Sequence, residues 1–360
     1  MSWQGIQGHD QVADRFRRTL AHGRLANTFL FVGPSGIGKR KFALRLAQAL
    51  LCPYGDPAAL APCGRCDSCV QVDSRTHPDL MVVTRPPDKS FIPVSAFIGE
   101  GDKRMREGLC HDIALKPFMG GRKVAIIDDA DYLNEEGANC LLKTLEEPPP
   151  KSVLILIGTS ADRQLPTIRS RAQLVRFQPL APELVAQILL DEGLAADRAA
   201  ADRLAAFSEG SVERAVALAD EDLWTFRGRL LDALTKPQLA SVSLAAELVP
   251  FVESAGKEAG PRRQRARQLV TFVVEFYRQL LRRTSGAPCN ADPELAQAVE
   301  RAAHNPSASP EMAAAGIDRS LEALMHIDRN AHQTTLLECW LDDLARITAS
   351  GHAVPSYDGV

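Results

Sequence analysis

Thr28-Phe29-Leu30-Phe31-Val32 runs straight into Gly33-Pro34-Ser35-Gly36-Ile37-Gly38-Lys39-Arg40, and a stretch with Phe42, Leu46, Ala49 and Leu50 on one stripe follows at once. An apolar strand, a glycine-rich turn and a helix in immediate succession leave few folds open. Gly33, Gly38 and Lys39 have the spacing of a phosphate-binding loop, with Gly36 inside the turn. In such a loop the glycines let backbone N–H groups curl around a phosphate, the lysine adds a point charge, and the helix N-terminus adds its dipole. Where the motif needs Ser or Thr to hold magnesium, this chain has Arg40, and a guanidinium cannot ligate a cation. Lys39 could still hold the phosphates of ATP, but Mg²⁺ placement is compromised.

Leu80-Met81-Val82-Val83, Val124-Ala125-Ile126-Ile127 and Val153-Leu154-Ile155-Leu156-Ile157 are further apolar runs without polar alternation. That is the pattern of strands buried on both faces of a parallel sheet. With helical stretches between them, such as the stripe of Leu141, Leu142 and Leu145, they predict an α/β domain with a doubly wound parallel sheet. Beyond Phe177-Gln178-Pro179-Leu180 the strand signal ends. Residues 182–220 read as short Ala-rich helices with a turn at Ser208-Glu209-Gly210-Ser211. Later stripes are Leu269, Phe272, Val273, Phe276 and Leu280, then Leu337, Leu341 and Leu344. Residues 256–261 and 284–293 read as interhelix loops, and the last residues carry too little apolar content to pack.

A length of 360 residues calls for two or three domains. The net charge of -3 provides no global attraction to nucleic acid, so any DNA contact must come from a local basic patch. No apolar run approaches the roughly 20 residues of a membrane span, and no basic flank precedes an apolar leader near Met1. The expectation is a cytoplasmic protein with no membrane partner.

Asp128 and Asp129 end the third apolar run in the form of a Walker B element. Asp128 would orient magnesium or its water and Asp129 would polarise the attacking water; the plainer alternative is a strand-end turn. Thr159, after the fourth run, lies where a γ-phosphate could be sensed. Cys52, Cys63, Cys66 and Cys69 follow a C-x10-C-x2-C-x2-C pattern, which suits a closed, structural Zn²⁺. An iron–sulfur reading lacks its Cys-Pro ligand, and a redox pair needs one C-x-x-C opening a helix after a strand. Cys110, Cys140, Cys289 and Cys339 read as ordinary thiols, and His9 as structural. Arg262, Arg263, Arg265 and Arg267 open a long helix against its dipole, and a solvated face is the leading account of them.

The segments Gly8-His9-Asp10, His22 to Lys39, the four cysteines, Leu141-Leu142-Lys143-Thr144-Leu145-Glu146-Glu147-Pro148-Pro149 and Ile168-Arg169-Ser170-Arg171 together resemble the bacterial DNA polymerase III clamp-loader subunits of the AAA+ superfamily. The likeness is to the delta-prime type, with gamma/tau as near relative. It covers most of residues 1–178. It implies an AAA+ core with a zinc module at 52–69, a helical lid over 179–236, a helical collar over 237–348 and a flexible tail over 349–360. It also implies that Arg171 is an arginine finger reaching in trans to ATP on a neighbouring subunit. The partners implied are the gamma/tau and delta subunits in a hetero-oligomeric ring, the sliding clamp, and primer-template DNA within the assembly. Four residues depart from the family pattern, one of them Ala172 in place of the cysteine that follows Ser170-Arg171 in the family's motif. Arg40 replaces the loop hydroxyl, Asp129 replaces a longer Glu, and Glu213 stands where the lid's sensor arginine belongs, with Arg214 one place late. Arg40 and Glu213 imply weak or absent hydrolysis by this chain. The competing reading is an active gamma/tau-like ATPase; a small-molecule phosphotransferase would leave half the chain as unexplained helix.

Overall fold

The computed structural model describes residues 3–86, 89–119, 121–289, 291–329 and 331–350. The chain divides into two compact units, Met1–Ala219 and Asp220–Val360. In the first, β1 (Thr28–Val32), β2 (Leu80–Val83), β3 (Lys123–Ile127), β4 (Ser152–Gly158) and β5 (Gln173–Arg176) form one parallel sheet in the order β2-β3-β4-β1-β5. The four apolar runs are the first four strands. β5 carries no comparable signal: it is an edge strand of four residues with polar ends, and of its side chains only Val175 is buried.

The lack of alternation has a direct cause. Phe29, Phe31, Val124, Ile126, Val153 and Ile155 point to one face, with Phe16, Phe42 and Phe177. Leu30, Val32, Ala125, Ile127, Leu154 and Leu156 point to the other, with Phe97, Leu141 and Leu145. Both faces are therefore core, and each large side chain so buried contributes about 1.5–3 kcal/mol. β1 lies between β4 and β5; the chain leaves β1 toward β2 at one edge and leaves the neighbouring β4 toward β5 at the other, so a crevice opens at the C-terminal ends of β1 and β4. The Gly33 N–H donates to Thr159 O at 3.1 Å and ties the loops after β1 and β4 together there. Beyond the sheet, Pro182–Asp191, Arg198–Phe207 and Val212–Ala217 are the short helices expected, with the turn before Val212.

A second feature of this unit is a chain of buried polar groups. Ser68 Oγ donates to Leu51 O (2.9 Å) and accepts from His77 Nε2 (3.0 Å), while His77 Nδ1 accepts from the Asp79 N–H (3.0 Å). The fully buried Asp79 carboxylate then accepts the N–H groups of Phe118 and Met119 at 2.7 and 2.9 Å. Burial holds the His77 pKa below its ordinary value, which suits a neutral ring with one donor and one acceptor nitrogen.

The second unit, in its described residues, consists of the helices Glu221–Leu234, Ser241–Glu253, Ala259–Thr284, Pro293–Ala303, Pro310–Asp328 and Gln333–Ser350. The predicted stripes Leu269 to Leu280 and Leu337 to Leu344 are buried. Gly260 and Pro261 belong to the first helical turn and not to a loop, because proline's missing N–H has no partner there in any case. The helix Glu221–Leu234, grouped with the lid from sequence, packs in this unit. Its Arg227, 1% exposed, donates to Glu294 and Asp292 at 2.5 and 2.6 Å. The arginine cluster finds internal partners as well: Arg265 pairs with Asp220 (2.5 Å), Arg267 with Asp328, and Arg262 donates to Gly256 O. Of the expected tail, residues 351–360 lie outside the described residues.

Candidate functional site

The glycine-rich loop expected to bind phosphate starts at Gly33 and ends at Gly38, the left-handed N-cap of the helix Lys39–Leu51. Gly36, at φ 72°, could not be another residue: a Cβ there would lie 2.3 Å from Ser211 Oγ and 2.5 Å from Glu213 Cβ. The turn at Ser208 to Ser211 therefore sits directly on the loop, and the Val212 N–H donates to Gly36 O at 3.1 Å. Ser211 also caps the last short helix by accepting from the Arg214 N–H at 3.1 Å. Its neighbour Glu213 brings a carboxylate to Gly36, while the Arg214 side chain is paired with Glu209.

Lys39 is buried, and its Nζ donates to Gly33 O and Pro34 O, both at 2.6 Å. Burial lowers its pKa, against the opposing pull of Asp131, Asp128, Glu213 and Asp129. Arg40 Nη1 lies 3.2 Å from Asp128 Oδ2. Asp128 is held at the end of β3, and its Oδ1 accepts the Asp129 N–H at 3.1 Å. Its pKa is raised by burial and by Asp129, with Arg40 and Lys39 pulling it back down. Asp129 adopts φ 57°, a left-handed conformation that Asp tolerates. Gly33, Gly36, Gly38, Lys39, Arg40, Asp128, Asp129 and Thr159 are thus gathered at one end of the sheet. The plain consequence is electrostatic: the Arg40 guanidinium rests on the carboxylate that ends β3.

Asp131 escapes the sequence reading. Its Oδ2 accepts from both the N–H (2.7 Å) and Oγ1 (2.5 Å) of Thr159, and its Oδ1 accepts from Gln164 Nε2 (2.6 Å). It fixes the rotamer of Thr159 and leaves that hydroxyl's lone pairs as acceptors. The only cue is a third aspartate after Asp128 and Asp129, which does not say where its carboxylate points. His9 is structural as expected: its Nε2 donates to Ile37 O at 2.7 Å, and burial depresses its pKa so that the ring is neutral. Between the N-terminal segment, the loop and the helices that follow the sheet lies a cavity of about 260 Å³ lined by Ile6, His9, Ile37, Leu180, Ile188 and Val212.

Arg171 is not part of this constellation. It follows the short helix Pro166–Arg169, and its guanidinium bonds Thr167 O, Ser170 Oγ and Glu146 Oε1.

The four cysteine Sγ atoms all lie within 4.8 Å of one another. The Cys52–Cys66 and Cys63–Cys69 separations are 3.9 and 4.0 Å, too long for disulfides. They are close to the roughly 3.8 Å edge of a tetrahedron built on Zn–S bonds of about 2.3 Å. The Cys52 and Cys66 sulfurs accept the N–H groups of Cys63 and Cys69, and N–H groups of Arg65 and Cys66 bring the Cys63 pKa down to about 6, while burial pushes those of Cys66 and Cys69 up. Such donors stabilise thiolates, the form a metal ion needs. The residues fit a structural Zn²⁺.

Among the described residues no helix is long and apolar enough to cross a membrane. A family model described as DNA polymerase III, delta subunit, matches residues 8–181. DNA polymerase III subunit delta' of Pseudomonas aeruginosa is 34% identical over 61% of this chain and 65% of its own length. That of Bacillus subtilis is 34% identical over 62% of this chain and 63% of its own. DNA polymerase III subunit tau of Escherichia coli is 31% identical over 62% of this chain and 33% of its own. A gamma subunit-related protein of known structure from Thermotoga maritima shares 14% identity at a TM-score of 0.44, over 93% of this chain and 99% of its own. The chain spans slightly less than two thirds of the delta' relatives it matches. Through this region, which carries the parallel sheet and the four-cysteine cluster, the chain is similar to DNA polymerase III delta-prime subunits and to the related gamma/tau subunits.

Proposed function

We propose that this chain acts as a delta-prime-type subunit of a DNA polymerase III clamp loader. In this reading it assembles with gamma/tau and delta subunits, helps load the sliding clamp onto primed DNA, and hydrolyses little or no ATP itself. The observation that carries the proposal is the Arg40–Asp128 ion pair. Hydrolysis by a phosphate-loop enzyme needs a divalent cation bridging the β- and γ-phosphates. Here the loop provides no hydroxyl for that cation, Arg40 neutralises its carboxylate, and Glu213 adds negative charge where γ-phosphate charge would build. What remains useful to a partner is Arg171, which stands apart from the chain's own loop and is free of that loop's carboxylates. As a finger in trans it would neutralise transition-state charge on a gamma/tau-bound ATP, an effect worth about 10³–10⁵ in rate at the site it serves. Zn²⁺ on Cys52, Cys63, Cys66 and Cys69 would brace the fold without taking part in chemistry.

The test is ATP turnover by the isolated full chain, with clamp and primed DNA present, and by the reconstituted complex. The isolated chain is expected to show negligible turnover, and Lys39→Ala in this chain should leave turnover by the complex unchanged. Magnesium-dependent hydrolysis by the chain alone, at rates like those of gamma/tau, overturns the proposal in favour of a self-sufficient ATPase.

A further inference from the structure

Glu146 closes the helix Glu135–Glu146, and prolines follow immediately after Glu147. Its position is locally unfavourable, because a carboxylate in the last helical turn faces unsatisfied carbonyls and the negative end of the dipole. Such a breach of local preference needs a non-local compensation. It is found in Arg171, whose Nη2 donates to Glu146 Oε1 at 2.5 Å. Arg171 Nη1 donates to Thr167 O at 2.9 Å and Ser170 Oγ at 3.1 Å. A guanidinium carries five N–H groups in a fixed plane, so these bonds leave Nε–H and one Nη2–H unspent on a side chain that is 32% exposed. An arginine with a loose side chain must surrender rotamer freedom when it meets a phosphate; one already held does not.

We infer that Glu146 is the positioning residue for Arg171, holding its guanidinium so that the two unspent N–H groups are ready for phosphate oxygens of a nucleotide on a neighbouring subunit. This rests on the reading of Arg171 as a trans-acting finger. Glu146 touches no nucleotide itself. It fixes the plane and reach of the group that does, as a positioned carboxylate commonly orients a catalytic partner.

The experiment uses the full chain reconstituted with gamma/tau and delta subunits, clamp and primed DNA, and reads kcat and KM for ATP. Arg171→Ala should lower kcat by more than about tenfold. Glu146→Ala should lower kcat about three- to tenfold with KM within about twofold, the signature of an interaction used only in the transition state. Glu146→Gln, which keeps an acceptor oxygen, should recover at least half of that loss. The double variant should be no slower than Arg171→Ala alone, because the tether then has nothing to hold. If Arg171→Ala slows turnover and Glu146→Ala does not, the positioning role is wrong while the finger stands. Faster turnover by Glu146→Ala also overturns it, since the carboxylate would then be a restraint. Unchanged turnover with Arg171→Ala removes the finger and this inference together.

Discussion

Arg40→Thr would restore the hydroxyl that a phosphate loop offers to magnesium and take the cation away from Asp128. At 3.2 Å and an effective dielectric near 20, the gross attraction of the pair is about 5 kcal/mol. Arg40 is 38% exposed, so water screens it and the net contribution to stability is about 1 kcal/mol. The variant should therefore fold. Asp128 is the more affected partner, being only 14% exposed. Burial and Asp129 already push its pKa up, and Arg40 is the stronger of the two opposing cations. Without Arg40 that carboxylate needs another positive charge, and a dication on the new hydroxyl provides one. ATP binding to the free chain, measured calorimetrically with magnesium and with chelator, should differ by less than about twofold for the natural sequence. For the variant, magnesium should tighten binding about tenfold, or about 1.4 kcal/mol. The reasoning is refuted if the unaltered chain already binds ATP tenfold better with magnesium, or if the variant remains indifferent to it.

Protein purified without chelator should carry about one zinc per chain by elemental analysis, and Cys69→Ser should remove it; markedly less than one zinc in the unaltered chain counts against the four-sulfur site. His9 has a folded-state pKa held below 6.5 by burial, so its neutral ring supports the fold fully above about pH 6.5. Below that the unfolded chain takes up the proton first and stability falls with pH. The melting temperature should drop from pH 7.5 to 5.5, and less steeply for His9→Gln; equal slopes would remove His9 as a cause.

What could be read from residues alone was whatever has a local signature. The four apolar strands, the loop from Gly33 to Lys39 and the cysteine spacing each carry their evidence within a few neighbours, and the structure has them where expected. β5 was missed because Gln173 and Arg176 at an exposed edge break the apolar run that betrays a central strand. Asp131 and Glu146 were missed for another reason: their partners, Thr159 and Arg171, lie on different elements, and only the register of the folded sheet decides which carboxylate meets which donor. Arg40 shows both sides. Its sequence position marks it as an unsuitable magnesium ligand, but its ion pair with Asp128 depends on β1 and β3 lying in one sheet.

The place of β1 between β4 and β5 also has a consequence in time. Thr28 pairs with Leu154 and Phe29 with Gln173, so neither edge of the strand can be hydrogen-bonded until more than a hundred further residues exist. A chain made from its N-terminus therefore carries Phe29 and Phe31 for most of the synthesis of this unit with only nearby helices to cover them. Long-range parallel pairing of this kind is slow, and the intermediates that precede it expose apolar surface. The strand that leads into the phosphate loop is among the first made and can only be completed late.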